Sequence, residues 1–225
     1  MTASARGLFR ATGKTPKPVA VRNLLGDIVK ADALEREPDE FYPTPPEPTR
    51  AFLAAEIGRL REFDGIWEPA CGDGAMIREM HAVGLTTFAS DLIQRGGAAE
   101  TVKSFYDFKI PVFSAIVTNP PFDQCGWGNG KARWLYHALD TLDVEYMALL
   151  LNWNWPGAGG LGPFWAKHTP ARVYLMRWKI DFTRQGAPPI QNGWFVWDRR
   201  HVGETVLRML DRVDLRQGAL FEVAA

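Results

Sequence analysis

"GIWEPACGDGAMIREMHAVGLTTFASD", residues 65–91, decides the fold. It opens on a short apolar run, "GIW" at 65–67, which reads as a buried strand. A turn bearing Gly72 and Gly74 follows, and "MIREMHAVG" at 76–84 reads as a helix that stops at Gly84. "TTFAS" at 86–90 is a second strand, and it ends on Asp91. Strand, glycine turn, helix, strand and acid, in that order, form the repeating unit of an open α/β sheet, which binds ligands outside the carboxyl ends of its strands. Gly72 and Gly74 permit close approach of backbone to a ligand, and Asp91 stands where a carboxylate accepts bonds from both hydroxyls of a ribose. The glycine spacing is neither GxGxxG nor GxxxxGK[ST], so a diphosphate cradle is not favoured. The pattern points to an adenosine-bearing cofactor.

Working outward, the same alternation continues on both sides. "FYPTPPEP" at 41–48 forces an extended or turning path, and "TRAFLAAEIGRLREF" at 49–63 has helical apolar spacing with Thr49 as its expected N-cap. The glycine- and charge-bearing segment from residue 92 up to "FYDF" (105–108) is expected to be mostly loop with one helical turn. Downstream come a strand "SAIVT" (114–118), a helix "KARWLYHALDTL" (131–142) and a strand "EYMALLL" (145–151). Three strand-like runs finish the chain, "RVYLMRW" (172–178), "GWFVWD" (193–198) and "ETVLRML" (204–210). The expectation is an α/β, mainly parallel twisted sheet closed by antiparallel strands at its C-terminal end. Residues 1–40 lack sustained periodicity, save for a short helix expected in "VRNLLGDIVKADAL", and read as a basic arm ahead of a single domain over 41–225.

At 225 residues the chain suits one such domain. It has no apolar run of membrane-spanning length and no signal-peptide pattern, so a cytoplasmic protein is expected. Cys71 and Cys125 lie far apart with no CxxC partner, which supports neither a disulfide framework nor a metal site. The formal net charge is zero, but its distribution is uneven. Residues 1–30 carry six Lys and Arg against one acid, and residues 165–216 carry ten against five. Basic ends around an acidic centre fit a nucleic-acid partner.

One further stretch carries chemistry. In "TNPPF", residues 118–122, a strand ends at Asn119 in a turn stiffened by Pro120 and Pro121, and Phe122 follows at once. With this turn added, the chain resembles the class I, S-adenosylmethionine-dependent N6-adenine methyltransferases of nucleic acid, which have a Rossmann-like fold. The catalytic signature of that family, [DNS]-P-P-[YFW], is filled by Asn119, Pro120, Pro121 and Phe122. Its cofactor loop matches Glu68, Pro69, Ala70, Cys71, Gly72 and Gly74. Its upstream element, which helps hold the methionine moiety, looks like "FYPTP" with Tyr42 and Thr44. Asp91 and Leu92 then fall at the ribose, Asp107 and Phe108 at the adenine of the cofactor, and Asn119 beside its methyl group. The ending "WFVWDRRHVGETVLRML" resembles small phage and prophage members in particular, and no separate target-recognition domain has room in this length.

The resemblance implies direct methyl transfer to the N6 amine of adenine in DNA after base flipping. That amine is a poor nucleophile, and two carbonyl acceptors aimed at its hydrogens, Asn119 Oδ1 and the Pro120 backbone oxygen, would free its lone pair. Phe122 would stack on the flipped base. Cytosine C5 chemistry needs a Pro-Cys nucleophile, and neither cysteine follows a proline. Of nine tryptophans, Trp153 and Trp155 lie near the expected catalytic edge, and with Lys167, Arg177, Lys179 and Arg184 they form the candidate nucleic-acid surface. The same chemistry on RNA or on a protein glutamine, or a binding module without turnover, are the alternatives.

Overall fold

Successive strand residues face opposite sides of a sheet, so a strand apolar at every position needs cover on both. "YMALLL" is such a strand, and the computed structural model buries it between two helical layers. The structure describes residues 43–126, 132–157, 159–182 and 190–212, together with the backbone of 20–22 and 28–30. The chain divides into two units, Met1–Phe41 and Tyr42–Ala225. In the first, β1 (Ala20–Arg22) pairs antiparallel with β2 (Ile28–Lys30). A helix is expected there; the β-branched Val21, Ile28 and Val29 instead put both runs into strands.

Among the described residues, the second unit has eight strands in one sheet. They are β3 (Ile66–Glu68), β4 (Thr87–Asp91), β5 (Thr101–Val102), β6 (Ala115–Thr118), β7 (Tyr146–Asn152), β8 (Arg172–Met176), β9 (Asn192–Asp198) and β10 (Val206–Leu210). Their order across the sheet is β10-β8-β9-β7-β6-β3-β4-β5. All neighbours run parallel except β9, which opposes both β7 and β8. This is the expected mainly parallel sheet with its antiparallel pairing at the C-terminal end. The strand order reverses at β3, flanked by β4 and β6, and such a reversal opens a crevice at the carboxyl ends.

Helix α1 (Pro46–Leu60) and α2 (Ala75–Ala82) cover one face, with Phe52, Leu53, Met76 and Met80 against Ala148, Leu150, Trp194 and Val196. The opposite face carries α3 (Arg133–Tyr136), continued by a widened π-helical turn over His137–Thr141, and α4 (Gly162–Lys167). Trp134, Leu135 and Phe164 pack there against Met147, Leu149, Leu151 and Phe195.

Helix α1 begins three residues before the expected cap. Pro46 takes its first position, where a missing N–H costs nothing, and Thr49 is buried inside the first turn. Two residues of β5 and the short α4 fall in segments whose patterns are too brief to read. Gly84, at φ 77°, ends α2 as expected, with its N–H on the His81 carbonyl at 2.9 Å.

The two ends of α1 are held differently. At its C-terminal end, Glu56 is 4% exposed and accepts Arg172 Nε at 2.8 Å, Tyr146 Oη at 3.0 Å and the Tyr174 hydroxyl. Arg172 also reaches Asp198 at 2.9 Å, and Asp198 accepts Arg59 Nη2 at 3.1 Å. The two guanidiniums outweigh burial and hold the Asp198 carboxyl below its usual range. At the N-terminal end, Trp194 Nε1 donates to the Pro48 carbonyl at 3.1 Å, and its indole stacks on Phe52 at 4.3 Å between ring centroids. Arg50 ties α1 to Glu79 of α2 at 2.6 and 3.0 Å.

Candidate active site

The glycine turn is built by its own backbone and by β4. Gly74 N–H donates to the Cys71 carbonyl at 2.8 Å, and Cys71 N–H donates to the Ser90 carbonyl at 3.1 Å. Gly72 and Gly74 have φ of 56° and 76°, a region where a side chain is strained. A Cβ on Gly74 would also lie 2.9 Å from the Ala98 Cβ, so that glycine is fixed twice over.

Asp91, at the end of β4, locks the turn from the other side. Its Oδ2 accepts Gly72 N–H at 2.7 Å, and its Oδ1 accepts Ile93 N–H at 3.1 Å and Arg95 Nη1 at 3.2 Å. Oδ2 therefore keeps capacity for a further donor, while Oδ1 already accepts two. Glu68, at the end of β3, is 2% exposed, and its Oε2 is buried without a partner. Burial first, then the negative charges of Asp91 and Asp73, push its carboxyl well above the usual range. Leu92 beside this cleft is 64% exposed, an apolar surface next to a carboxylate.

The third strand end presents Asn119. Its Nδ2 donates to Thr44 Oγ1 at 3.1 Å, and its Oδ1 is buried with no hydrogen-bond partner. A buried acceptor left unmade costs about 1–3 kcal/mol, so its retention points to a donor supplied by a ligand. Thr44 is itself buried just ahead of α1, so the amide is oriented by a residue 75 positions away in sequence. Pro120 is buried, while Pro121 and Phe122 are partly exposed; Phe122 opens a 3₁₀ turn over Phe122–Cys125. Glu68, Gly72, Asp91 and Asn119 thus meet at the crevice between β4, β3 and β6. Tyr42 lies outside the described residues.

Asp107 closes a 3₁₀ turn and is exposed, with Phe108 after it. Phe108 meets Trp67 edge-on at 4.8 Å, and Lys103 Nζ lies 4.5 Å from its ring centroid. Its ring is therefore shared with two neighbours before any adenine arrives.

The expected nucleic-acid residues are brought together only in part: Trp153, Arg177 and Lys179 lie past β7 and β8 at the carboxyl edge, and Trp155 and Lys167 do not join them. Trp155 is 1% exposed, and its Nε1 donates to the Cys125 carbonyl at 2.6 Å. That indole is committed to the core, where it meets Phe195, Trp165 and Trp197, and a base cannot stack on it. Trp153 is half-buried over Gly193 and stays at the carboxyl edge, just past β7. Lys167 closes α4 ahead of β8, at the opposite edge, and pairs with Asp140 at 2.8 Å. Arg177, just past β8, pairs with Asp211 at 2.6 Å, and Lys179 is exposed nearby. Arg184 lies outside the described residues. Sequence reading missed Thr44 as the orienter of the amide and the role of Asp91 in holding Gly72; neither long-range contact leaves a local pattern.

Among the described residues, no group of three His, Cys, Asp or Glu side chains is placed to hold a metal ion, and no helix is long and apolar enough to cross a membrane.

No protein-family model and no curated protein matches the chain. Solved structures do. A protein from Listeria monocytogenes described as a class I S-adenosylmethionine-dependent methyltransferase aligns with a TM-score of 0.50 at 11% identity, over 78% of this chain and 68% of that one. The methyltransferase subunit of a type I restriction-modification system from Streptococcus thermophilus aligns with a TM-score of 0.49 at 13% identity, over 81% of this chain. This chain spans 52% of that subunit, and 45% of a type I modification subunit from Vibrio vulnificus YJ016. From the strand order and the Listeria structure together, the fold is that of the Rossmann-like class I methyltransferases.

Proposed function

We propose that this protein transfers a methyl group from S-adenosylmethionine to the N6 amine of adenine in DNA, as a small, phage- and prophage-like member of the N6-adenine methyltransferases. The observation that carries the reading is the buried, unpartnered Oδ1 of Asn119 beside the Asp91–Gly72 turn. The residues present fit the cofactor: an unpartnered Glu68 oxygen, a remaining acceptor site on Asp91 and a glycine turn that excludes side chains come together at the adjoining ends of β3 and β4.

S-adenosylmethionine, when bound, supplies an activated methyl group. Glu68, Gly72, Gly74, Asp91 and Leu92 would hold it, with Asp107 and Phe108 toward its adenine and Tyr42 and Thr44 toward its methionine. Asn119 Oδ1 and the Pro120 carbonyl accept the two hydrogens of the target amine and so localise its lone pair. These acceptors are fixed before reaction, since Thr44 orients the amide and the two prolines stiffen the turn. Phe122 stacks on the flipped base and helps offset the few kcal/mol that flipping costs. Residues 41–225 make up the transferring domain, and the basic residues of 1–40 add contacts to nucleic acid.

The test is transfer of labelled methyl from S-adenosylmethionine to protein-free DNA, to RNA and to a protein mixture. Label at adenine N6 of DNA supports the reading. Label only in RNA or in protein glutamine moves it to those substrates, and tight cofactor binding with no label in any fraction overturns it.

A further inference from the structure

The described cations of this protein mostly end on carboxylates: Arg50 on Glu79, Arg59 on Asp198, Arg172 on Glu56, Lys167 on Asp140. Three exposed cations beside the candidate active site do not. The Arg133 guanidinium lies 3.9 Å from the Tyr106 ring centroid. Lys103 Nζ sits over Phe108 at 4.5 Å, and Lys109 Nζ donates to the Tyr106 carbonyl at 3.2 Å. All three rest on one short segment, 103–109, and each is held by a neutral group.

Such holding leaves charge to spare. A ring face beneath an exposed cation attracts it weakly and does not neutralise it. Arg133 rests over the Tyr106 ring without a carboxylate partner among the described residues, and a guanidinium presents a planar fork of N–H donors that matches a phosphate. The opposing acids are Asp107 and Asp123, both exposed, and Asp123 already accepts Gln124 Nε2 at 2.7 Å. Behind the segment, His137 is driven toward its neutral form by burial above all, and Lys109 and Arg133 both add to that shift. The two cations therefore raise the potential at one point.

The segment is wired to the turn it would serve. Tyr106 Oη donates to Gln124 Oε1 at 3.1 Å, and Gln124 lies in the same 3₁₀ turn as Phe122. A base can be flipped onto Phe122 only if the strand on either side is held, and phosphate contacts are what position a strand without reading its sequence.

We propose that Arg133, Lys109 and Lys103, shelved on Tyr106 and Phe108, bind the phosphate backbone of the target nucleic-acid strand next to the catalytic turn. The inference rests on the nucleic-acid reading above, and it places the backbone contact on segment 103–109 rather than on the tryptophan-rich segment.

The experiment is the affinity of the full chain for fluorescent adenine-containing oligonucleotides, single-stranded and duplex, as salt is raised. In a Lys103→Gln/Lys109→Gln/Arg133→Gln variant, log affinity against log salt should lose about 0.9 of slope per contact on duplex or about 0.7 on a single strand, a total of about 2 to 3. The weakening should be uniform across sequences. Lys109→Gln alone should lose about one contact, which keeps the test available if the triple variant folds poorly. Lys167→Ala, at the other edge of the sheet, should leave the slope unchanged. A wild-type slope in the triple variant and in Lys109→Gln, with cofactor still bound, overturns this inference alone. Wild-type protein that binds cofactor and no oligonucleotide at any salt overturns it together with the reading beneath it.

Discussion

The two edges of one sheet use buried polar groups in opposite ways. At the amino edge, Glu56, Arg172, Asp198 and Arg59 form a closed chain of ion pairs, with the hydroxyls of Tyr146 and Tyr174 filling what remains on Glu56. At the carboxyl edge, Glu68 Oε2, Thr118 Oγ1, Asn119 Oδ1 and Asn192 Oδ1 are buried with no partner. The same burial that strengthens satisfied bonds makes unsatisfied ones costly, so the first edge stabilises the fold and the second stores capacity to bind. Stability and function are separated by the length of α1.

That contrast can be broken experimentally, beginning where the effect is largest. Glu56→Ala leaves Arg172 buried with Asp198 alone, and loss of one partner from a buried pair costs about 3–5 kcal/mol. Urea unfolding should show that loss, and a variant as stable as wild type would remove the amino edge from this account. Asn119→Ala should do the reverse. Removing a preorganised acceptor costs about 10²–10³-fold in turnover, while the melting temperature should hold or rise because an unsatisfied acceptor has gone. Full methyl transfer by that variant sinks the proposed mechanism.

Asp91→Ala is intermediate, since Asp91 both anchors Gly72 and faces the cleft. Cofactor affinity measured by calorimetry should fall at least about tenfold, the loss of one charge-assisted hydrogen bond or more. An unchanged dissociation constant rejects the ribose role. The smallest effect concerns pH. Glu68 has a raised folded-state pKa, so its contribution to stability is complete below the unfolded value of about 4.3 and is lost as pH rises toward the folded value. Glu68→Gln, which carries no ionisable group, should therefore match wild type near pH 4 and melt progressively above it as pH rises, with weakened cofactor binding throughout. Melting curves that stay parallel as pH rises would show that the Glu68 carboxyl is not raised.

The sequence discloses one edge far better than the other. Glu68 and Asp91 end their strands, Asn119 follows its strand by one residue and Gly72 by four, so local pattern and turn chemistry are enough to bring them to the crevice. The amino edge joins Glu56 to Arg172 across 116 positions and Arg59 to Asp198 across 139, and no local pattern reports such pairs. Trp155 misleads for a related reason. An irregular stretch rich in tryptophan and glycine reads as surface, yet the Cys125 carbonyl gives its indole N–H a buried partner, which removes the usual reason for a tryptophan to stay wet. Thr49 has the chemistry of a cap but loses the position to the Pro45–Pro46 pair ahead of it.

Helix α1 has a consequence for anyone mapping this protein by random mutation. Its 15 residues make a rod of about 22 Å, with Thr44 just ahead of one end and Arg59 near the other. A change at Arg59 or Asp198 that tilts the rod swings Thr44, and with it the carbonyl oxygen of Asn119, although neither altered residue lies near the crevice. A screen scored on methylation will therefore return hits at the far edge of the sheet. Urea unfolding will tell them apart from hits in the cleft: changes at the far edge also lower stability, as Glu56→Ala should.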